Sequence, residues 1–211
     1  MGESNGMNTD DGNAHQSGRA ALLAAARAEL TRVGVGELSL RAVARRAGVS
    51  HAAPKHHFAH RAGLLSALAA DGFTALATRL DAAVAAGGPP LHRLVAAGHA
   101  YLRFAQDEPA LFDLMYRPEL LSSADPALLA SKRAAFGVLL RVVDDARTDL
   151  RSDAGTDTVA LLAWATVHGM AVLIRDRALE AVGVADDAGH GAVLAEGLIE
   201  ALGGFLSRDS R

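Results

Sequence analysis

Two short helical segments meet at a single glycine early in the chain, and that meeting restricts the fold more than any other feature. Residues 39–58 read SLRAVARRAGVSHAAPKHHF. Leu40, Val43, Ala44 and Ala47 recur at the spacing of one helical face, with Ser39 before them as an N-cap and Gly48 after them as the break. Arg41, Arg45 and Arg46 fall largely outside that face. Ser50 is placed to cap a second segment that runs to about Phe58, and Pro54 then falls in its first turn, where the missing N–H costs little. Ala44 and Gly48 are small where the two segments must approach. Val49 and Phe58 are the apolar residues available to pin the pair to a helix before them. Two helices joined by about four residues that include a glycine form a helix-turn-helix.

The rest of the chain is compatible only with more helices. Half of the residues are hydrophobic, most of them Ala, Leu and Val, and aromatic residues make up 4%. Alanine and leucine favour helices, and the aromatic and β-branched strand formers are scarce. The fold class is therefore all-α, with about nine helices. Leu22, Leu23, Ala26 and Leu30 mark an opening helix that Gly34 stops. A long helix follows from about 61 to 86, ended by GGPP, and further helices are predicted over about 91–106, 109–116, 125–148, 156–181 and 187–207. Pro109, Pro118, Pro126 and Gly155 supply the breaks. The domain boundaries read as a disordered tail over 1–17, a helix-turn-helix domain over 18–64 and a larger helical domain over 65–211.

Charge is distributed unevenly. Between Arg19 and Arg61 there are eight Lys or Arg and two Glu, a local charge of +6 in a chain whose total is −3. A basic module is joined to an acidic body, and distribution matters more than the sum for a polyanionic partner. A solvated basic surface is the plain alternative. The absence of cysteine excludes disulfides and thiolate metal sites. No Glu-x-x-His pair, nucleophile elbow or phosphate loop is present, which argues against an enzyme. His56 and His60 are four residues apart, a spacing that suits a metal on a helix, but no third ligand lies near, so no cofactor or metal is expected. No apolar run approaches the roughly 20 residues of a membrane span, and the polar N-terminus lacks a signal-peptide pattern. The expectation is a soluble cytoplasmic protein with no membrane contact.

With these motifs in order, residues 19–72 resemble the tetracycline-repressor (TetR) family of bacterial transcriptional regulators. The resemblance rests on AALLAAARAEL, LSLRAVARRAGVS and HHFAHRAGLL. WATVHG, with Trp164, His168 and Gly169, and EPALFDLMY before it, resemble the Trp-His-Gly subgroup of the family's C-terminal domains. One departure is Lys55, which stands where the family usually has a phosphate-holding tyrosine. A lysine can take that role as a point charge.

The resemblance implies a homodimer that binds double-stranded operator DNA and responds to a small-molecule effector. Ser50, His51, Ala52 and Ala53 would begin the helix that enters the major groove, the last three facing base edges. Arg41 would reach bases or phosphate. Ser39, Lys55, His56 and Arg61 would hold phosphates, which position the protein while base contacts specify sequence. His57 is better read as a packing residue. The last two long helices would pair across the dimer. The effector candidates are the few large side chains of the larger domain. Phe73, Tyr101, Phe104, Phe112 and Met115 come first, with Tyr116, Phe136 and Trp164 beyond them and His168 as a polar anchor. Such a cavity suits a small, mostly apolar molecule. Repression is the family's majority behaviour. An activator of the same family and a helical interaction protein without DNA binding remain alternatives.

Overall fold

A computed structural model describes residues 8–147, 149–150 and 154–207. Among them are ten α-helices: α1 (Asn8–Glu37), α2 (Leu40–Ala47), α3 (Ala53–Phe58), α4 (Arg61–Ala85), α5 (Pro90–Asp107), α6 (Pro109–Met115), α7 (Pro126–Asp145), α8 (Thr156–Arg175), α9 (Ala178–Ala181) and α10 (Ala188–Leu206). A 3-10 turn at Pro118–Leu120 lies between α6 and α7. Among the described residues the one β-type pairing is an isolated bridge between Leu150 and Ser207.

Most boundaries follow local chemistry. Proline opens α5, α6 and α7, where its missing N–H is one of the helix's unpaired donors anyway. Asp125 caps α7 by accepting from the Leu128 N–H at 2.9 Å, and Asp187 caps α10 through the His190 N–H at 2.8 Å. Gly34 interrupts α1 at a φ of 72°, and a last turn continues to Glu37.

Two boundaries differ from the sequence expectation. The first helix begins at Asn8 rather than after residue 17, so the expected disordered tail is helical from Asn8 onward. Once the Leu22 to Leu30 segment is anchored by packing, each further residue needs only one more hydrogen bond to extend the helix. The helix expected over 156–181 stops at Arg175, because Arg177 turns left-handed at a φ of 55° and the separate turn of α9 follows. α8, at 20 residues, is also long and apolar enough by length and composition to cross a bilayer, although no such run was expected.

α4 is the axis of the molecule. Its N-terminal half buries Leu64, Leu65 and Leu68 against α1 to α3, and its C-terminal half buries Phe73, Leu76 and Leu80 against α5, α6 and α7. One apolar cluster thereby runs from Leu22 in α1 to Ile199 in α10. A second lies between α7 and the ends of α5, α8 and α10, around Leu94, Val142, Val143, Val159 and Leu206. α8 and α10 run antiparallel, since Ile174 meets Gly191 at one end while Val159 and Leu206 share a cluster at the other. Their outer faces carry Leu161, Leu162, Val193 and Phe205, each at least half exposed.

Candidate functional site

α2 and α3 build one candidate surface. Ser39 caps α2 by accepting from the Ala42 N–H at 3.2 Å. Ala42, Val43 and Ala44 are buried, while Leu40 and Ala47 pack half-buried against the same core. Gly48 ends the helix at a φ of 68°, a left-handed conformation that glycine takes without strain, and its N–H and that of Val49 return to carbonyls of α2.

α3 departs from expectation at its start. Ala52, not Ser50, is the N-cap, and no side chain caps it. Ser50 instead accepts a backbone bond from Ala53 at 3.1 Å. The helix therefore starts later, and Pro54 sits within its first two positions, buried and without loss of an intrahelical bond. Phe58 is buried beneath the Arg19 guanidinium, 5.4 Å from its ring centroid, and so ties α3 to α1. Val49 does not share that task and is 39% exposed. His57 packs beside Gly18 of α1, as a packing residue would.

The basic residues divide into two sets. Arg32 and Arg46 both bind Glu29, at 2.6 and 2.8 Å, and hold its buried carboxyl down to about pKa 2, hydrogen bonding from Arg32 being the largest cause and from Arg46 the next. Arg27 bridges Asp71 at 3.2 Å and Glu108 at 2.8 Å. Arg61, read from the sequence as a phosphate ligand, donates from Nε to the Leu38 carbonyl at 2.9 Å and from its terminal nitrogen to the Val35 carbonyl. Its guanidinium clamps the α1–α2 connection onto the start of α4. Arg41, Arg45 and Lys55 are exposed, and among the described residues none has a carboxylate within ion-pair distance. Ser39, Ser50, His51, Ala52 and His56 are exposed on the same two-helix unit, and Ala53 is half-buried. Arg45 had not been assigned a contact. Its position off the buried stripe of α2 was the available signal. His60, one member of the possible metal pair, caps α4, its Nδ1 accepting from the Gly63 N–H at 3.0 Å.

The second candidate site is a cavity of about 380 Å³ enclosed by α4, α5, α7, α8 and α10. Phe73, Tyr101, Tyr116, Phe136 and Trp164 line it, as read from the sequence. Phe104, Phe112, Met115 and His168 do not. Phe104 faces the α4–α5 core, where Arg79 lies over its ring at 5.3 Å, and Met115 packs against Gly72. Phe112 stacks edge-on behind Tyr101, with centroids 5.8 Å apart. The wall is completed by aliphatic side chains that the sequence reading missed, among them Leu76, Leu80, Leu139, Ile199 and Leu202. Lys132 and Arg133 also line it.

A hydrogen-bonded knot closes one side. The Tyr101 hydroxyl lies 2.8 Å from the Tyr116 hydroxyl and 2.9 Å from His168 Nδ1, and accepts from the Trp164 indole N–H at 3.4 Å. Burial pushes both tyrosines up, and burial followed by the nearby Arg175 pushes His168 down. All these groups are consequently neutral at pH 7. His168 anchors Tyr101 from behind rather than entering the cavity.

Comparison with known proteins joins the two sites. Residues 22–68 match the bacterial regulatory proteins of the tetR family, and residues 94–202 match the tetracyclin-repressor-like C-terminal domain, a segment that includes Trp164, His168 and Gly169. No curated protein matches the chain in sequence. A protein of unknown function from Rhodococcus sp. RHA1 is 34% identical and superimposes with a TM-score of 0.76 over 90% of this chain and 96% of that one. A TetR-family transcriptional regulator from Pectobacterium atrosepticum, 23% identical, gives 0.74 over 94% and 98%. NalD of Pseudomonas aeruginosa, the secondary repressor of the MexAB-OprM multidrug efflux pump, gives 0.63 at 21% identity over 93% and 99%.

Proposed function

Because the chain belongs to the tetR family of bacterial transcriptional regulators, we propose that it is a dimeric repressor released from a palindromic operator when a small, mostly apolar molecule fills the cavity. Regulators of this family are DNA-binding proteins rather than enzymes, bind DNA as dimers and respond to small ligands. The observation that carries the proposal is the double engagement of α4. Its first residue, Arg61, grips the carbonyls of Val35 and Leu38 beside the two-helix unit, while Phe73, Leu76 and Leu80 of the same helix line the cavity. A molecule that favours one setting of α4 shifts the population of the attached recognition helices.

In this reading His51, Ala52 and Ala53 face base edges from the start of α3. His51 donates to guanine or accepts from the cytosine amino group, and the alanine methyls meet thymine. Ser39, Arg41, Ser50, Lys55 and His56 hold the backbone, joined by Arg45. Arg61 positions the unit without touching DNA. α8 and α10 pair with their symmetry mates through the exposed faces around Leu161, Leu162 and Phe205, which accounts for the apolar length of α8 in a DNA-binding regulator. NalD's role as a repressor supports the same direction of control.

The test is operator binding across a salt series, with and without a hydrophobic ligand that quenches Trp164. Ligand that fills the cavity is expected to lower operator affinity. Unchanged operator binding with the cavity saturated would refute release by this site.

A further inference from the structure

We propose that the cavity selects an anionic amphiphile, a carboxylate with an apolar chain of about ten carbons, with its head at Lys132 and Arg133. The inference rests on the reading of this cavity as the effector site and names the chemistry of what enters. Among the described residues no Asp or Glu lines the cavity, and the two ionised side chains that do are both positive. Lys132 is half-buried, with Nζ 5.5 Å from the centroid of the Phe73 ring. Among the described residues neither Lys132 nor Arg133 has a carboxylate within ion-pair distance, whereas Arg79, Arg93, Arg141 and Arg175 of the same domain each face one. A partly desolvated ammonium without an anion is poorly compensated, and an entering carboxylate would form charge-assisted hydrogen bonds there.

The cavity is also polarised end to end. Phe73 sits between Lys132 and Tyr116, whose ring centroid is 5.6 Å from its own, and Tyr116 carries the hydroxyl bonded to that of Tyr101. The cations and both neutral phenols therefore gather at one end. Seven residues further on, about 10 Å along each helix, Leu80 of α4 and Leu139 of α7 line the same space with Leu94 and Leu206. α4 and α7 run parallel here, because Asp81 pairs with Arg141 at 2.7 Å just beyond those leucines. The far end is thus apolar, with Phe136 packed among the aliphatic side chains there. The two ends lie about 10 Å apart, and a cavity of about 380 Å³, within the usual range for small-molecule sites, leaves room for a head group at the cations and a chain of about ten carbons reaching the leucines. A ten-carbon carboxylate has that size and that polarity. A cation of the same length would meet like charge at the head end.

Trp164 fluorescence titrations with decanoate, 1-decanol and decyltrimethylammonium, all below micelle formation at pH 7.5, test this. They are run on the full chain and on Lys132→Gln/Arg133→Gln, whose fold is checked by circular dichroism. Wild-type protein is expected to bind decanoate about tenfold more tightly than decanol and the ammonium more weakly than either. The double variant is expected to bind decanoate and decanol alike, the preference for the carboxylate being lost. Equal binding of decanoate and decanol by wild type, or a preference that survives in the double variant, overturns the head-group assignment and leaves the cavity reading intact. If neither decanoate nor decanol changes Trp164 emission or the melting temperature, the cavity reading falls and this inference with it.

Discussion

At the scale of single residues, what separates the basic side chains of the N-terminal domain is what each already touches. Among the described residues Arg41, Arg45 and Lys55 face water without an acidic partner, and in the proposed complex they are the cations that release counterions on binding a phosphate. Lys55→Ala and Arg45→Ala are each expected to weaken binding across all sequences and to flatten the salt slope by about one unit. Arg61→Ala is expected to keep the slope while lowering both the melting temperature and the affinity, since it loses the two carbonyls rather than a phosphate. Arg61→Lys should not restore it, because an ammonium lacks the planar fork. His51→Ala is expected to relax preference at one operator position by about 1–3 kcal/mol. Salt titrations on matched operators read all of these. Glu29 gives a pH prediction. Its folded pKa lies below its unfolded value, so its contribution to stability is full above the usual carboxylate range and is lost as pH falls towards about 2. Glu29→Gln should lower the melting temperature at pH 7 and shrink the loss seen in wild type between pH 6 and pH 3. An unchanged acid limb in the variant would show that other carboxylates set it.

At the scale of elements, the seat of α3 depends on one contact. A Cβ on Gly63 would lie 2.2 Å from the Phe58 carbonyl oxygen, so α4 can pass under the end of α3 only with glycine there. Gly63→Ala should cost about 1–3 kcal/mol by overpacking and should reduce operator affinity further by displacing α3, which thermal melts and binding titrations together would resolve. The same scale shows what the sequence made legible. Helix starts at Pro90, Pro109 and Pro126 and the stop at Gly48 were readable because proline and glycine act through their own backbone. The end of α8 was not, because an arginine at Arg177 turns left-handed and carries no such signal. Ser50 looked like a cap by residue type, yet Pro54 and Phe58 had to be buried, and their packing set the start of α3 at Ala53. In the cavity, scarcity of aromatics picked out Phe73, Tyr101, Phe136 and Trp164. It equally picked out Phe104 and Phe112, because lining depends on which side of a helix meets a gap. Leu80, Leu139 and Leu202 were invisible for the same reason, being identical in kind to leucines of solid core. The pairing of Arg61 with carbonyls across the α1–α2 connection is likewise a property of the fold, with no counterpart in local spacing.

At the scale of the whole molecule, α8 and α10 have two faces with different fates. Inward, Ala163, Trp164, Val167, Ile199 and Leu202 enclose the cavity. Outward, Leu161, Leu162 and Leu173 of α8 and Val193 and Phe205 of α10 are exposed. Phe205 is 79% exposed and Val193 64%, on a face that also bears the exposed small residues Gly197, Ala201 and Gly204, which permit close approach of a symmetry mate. In the proposed dimer this strip is covered, and two recognition helices are held one DNA turn apart, about 34–36 Å. Joining two half-site contacts raises the effective concentration of the second to the order of millimolar, so operator affinity depends on the dimer far more than on any one contact. Leu162→Glu/Phe205→Glu places like charges on both sides of the symmetry axis, where burial without partners is strongly unfavourable. Both side chains are exposed in the single chain, so the fold and the inward face should survive. The expected result is a particle of one chain's mass by light scattering, with wild-type helicity, wild-type Trp164 response to decanol, and operator binding reduced to weak half-site contact. A variant that stays dimeric would move the interface away from this strip. A monomer that still binds the full operator as tightly as wild type would remove the dimer from the mechanism of recognition.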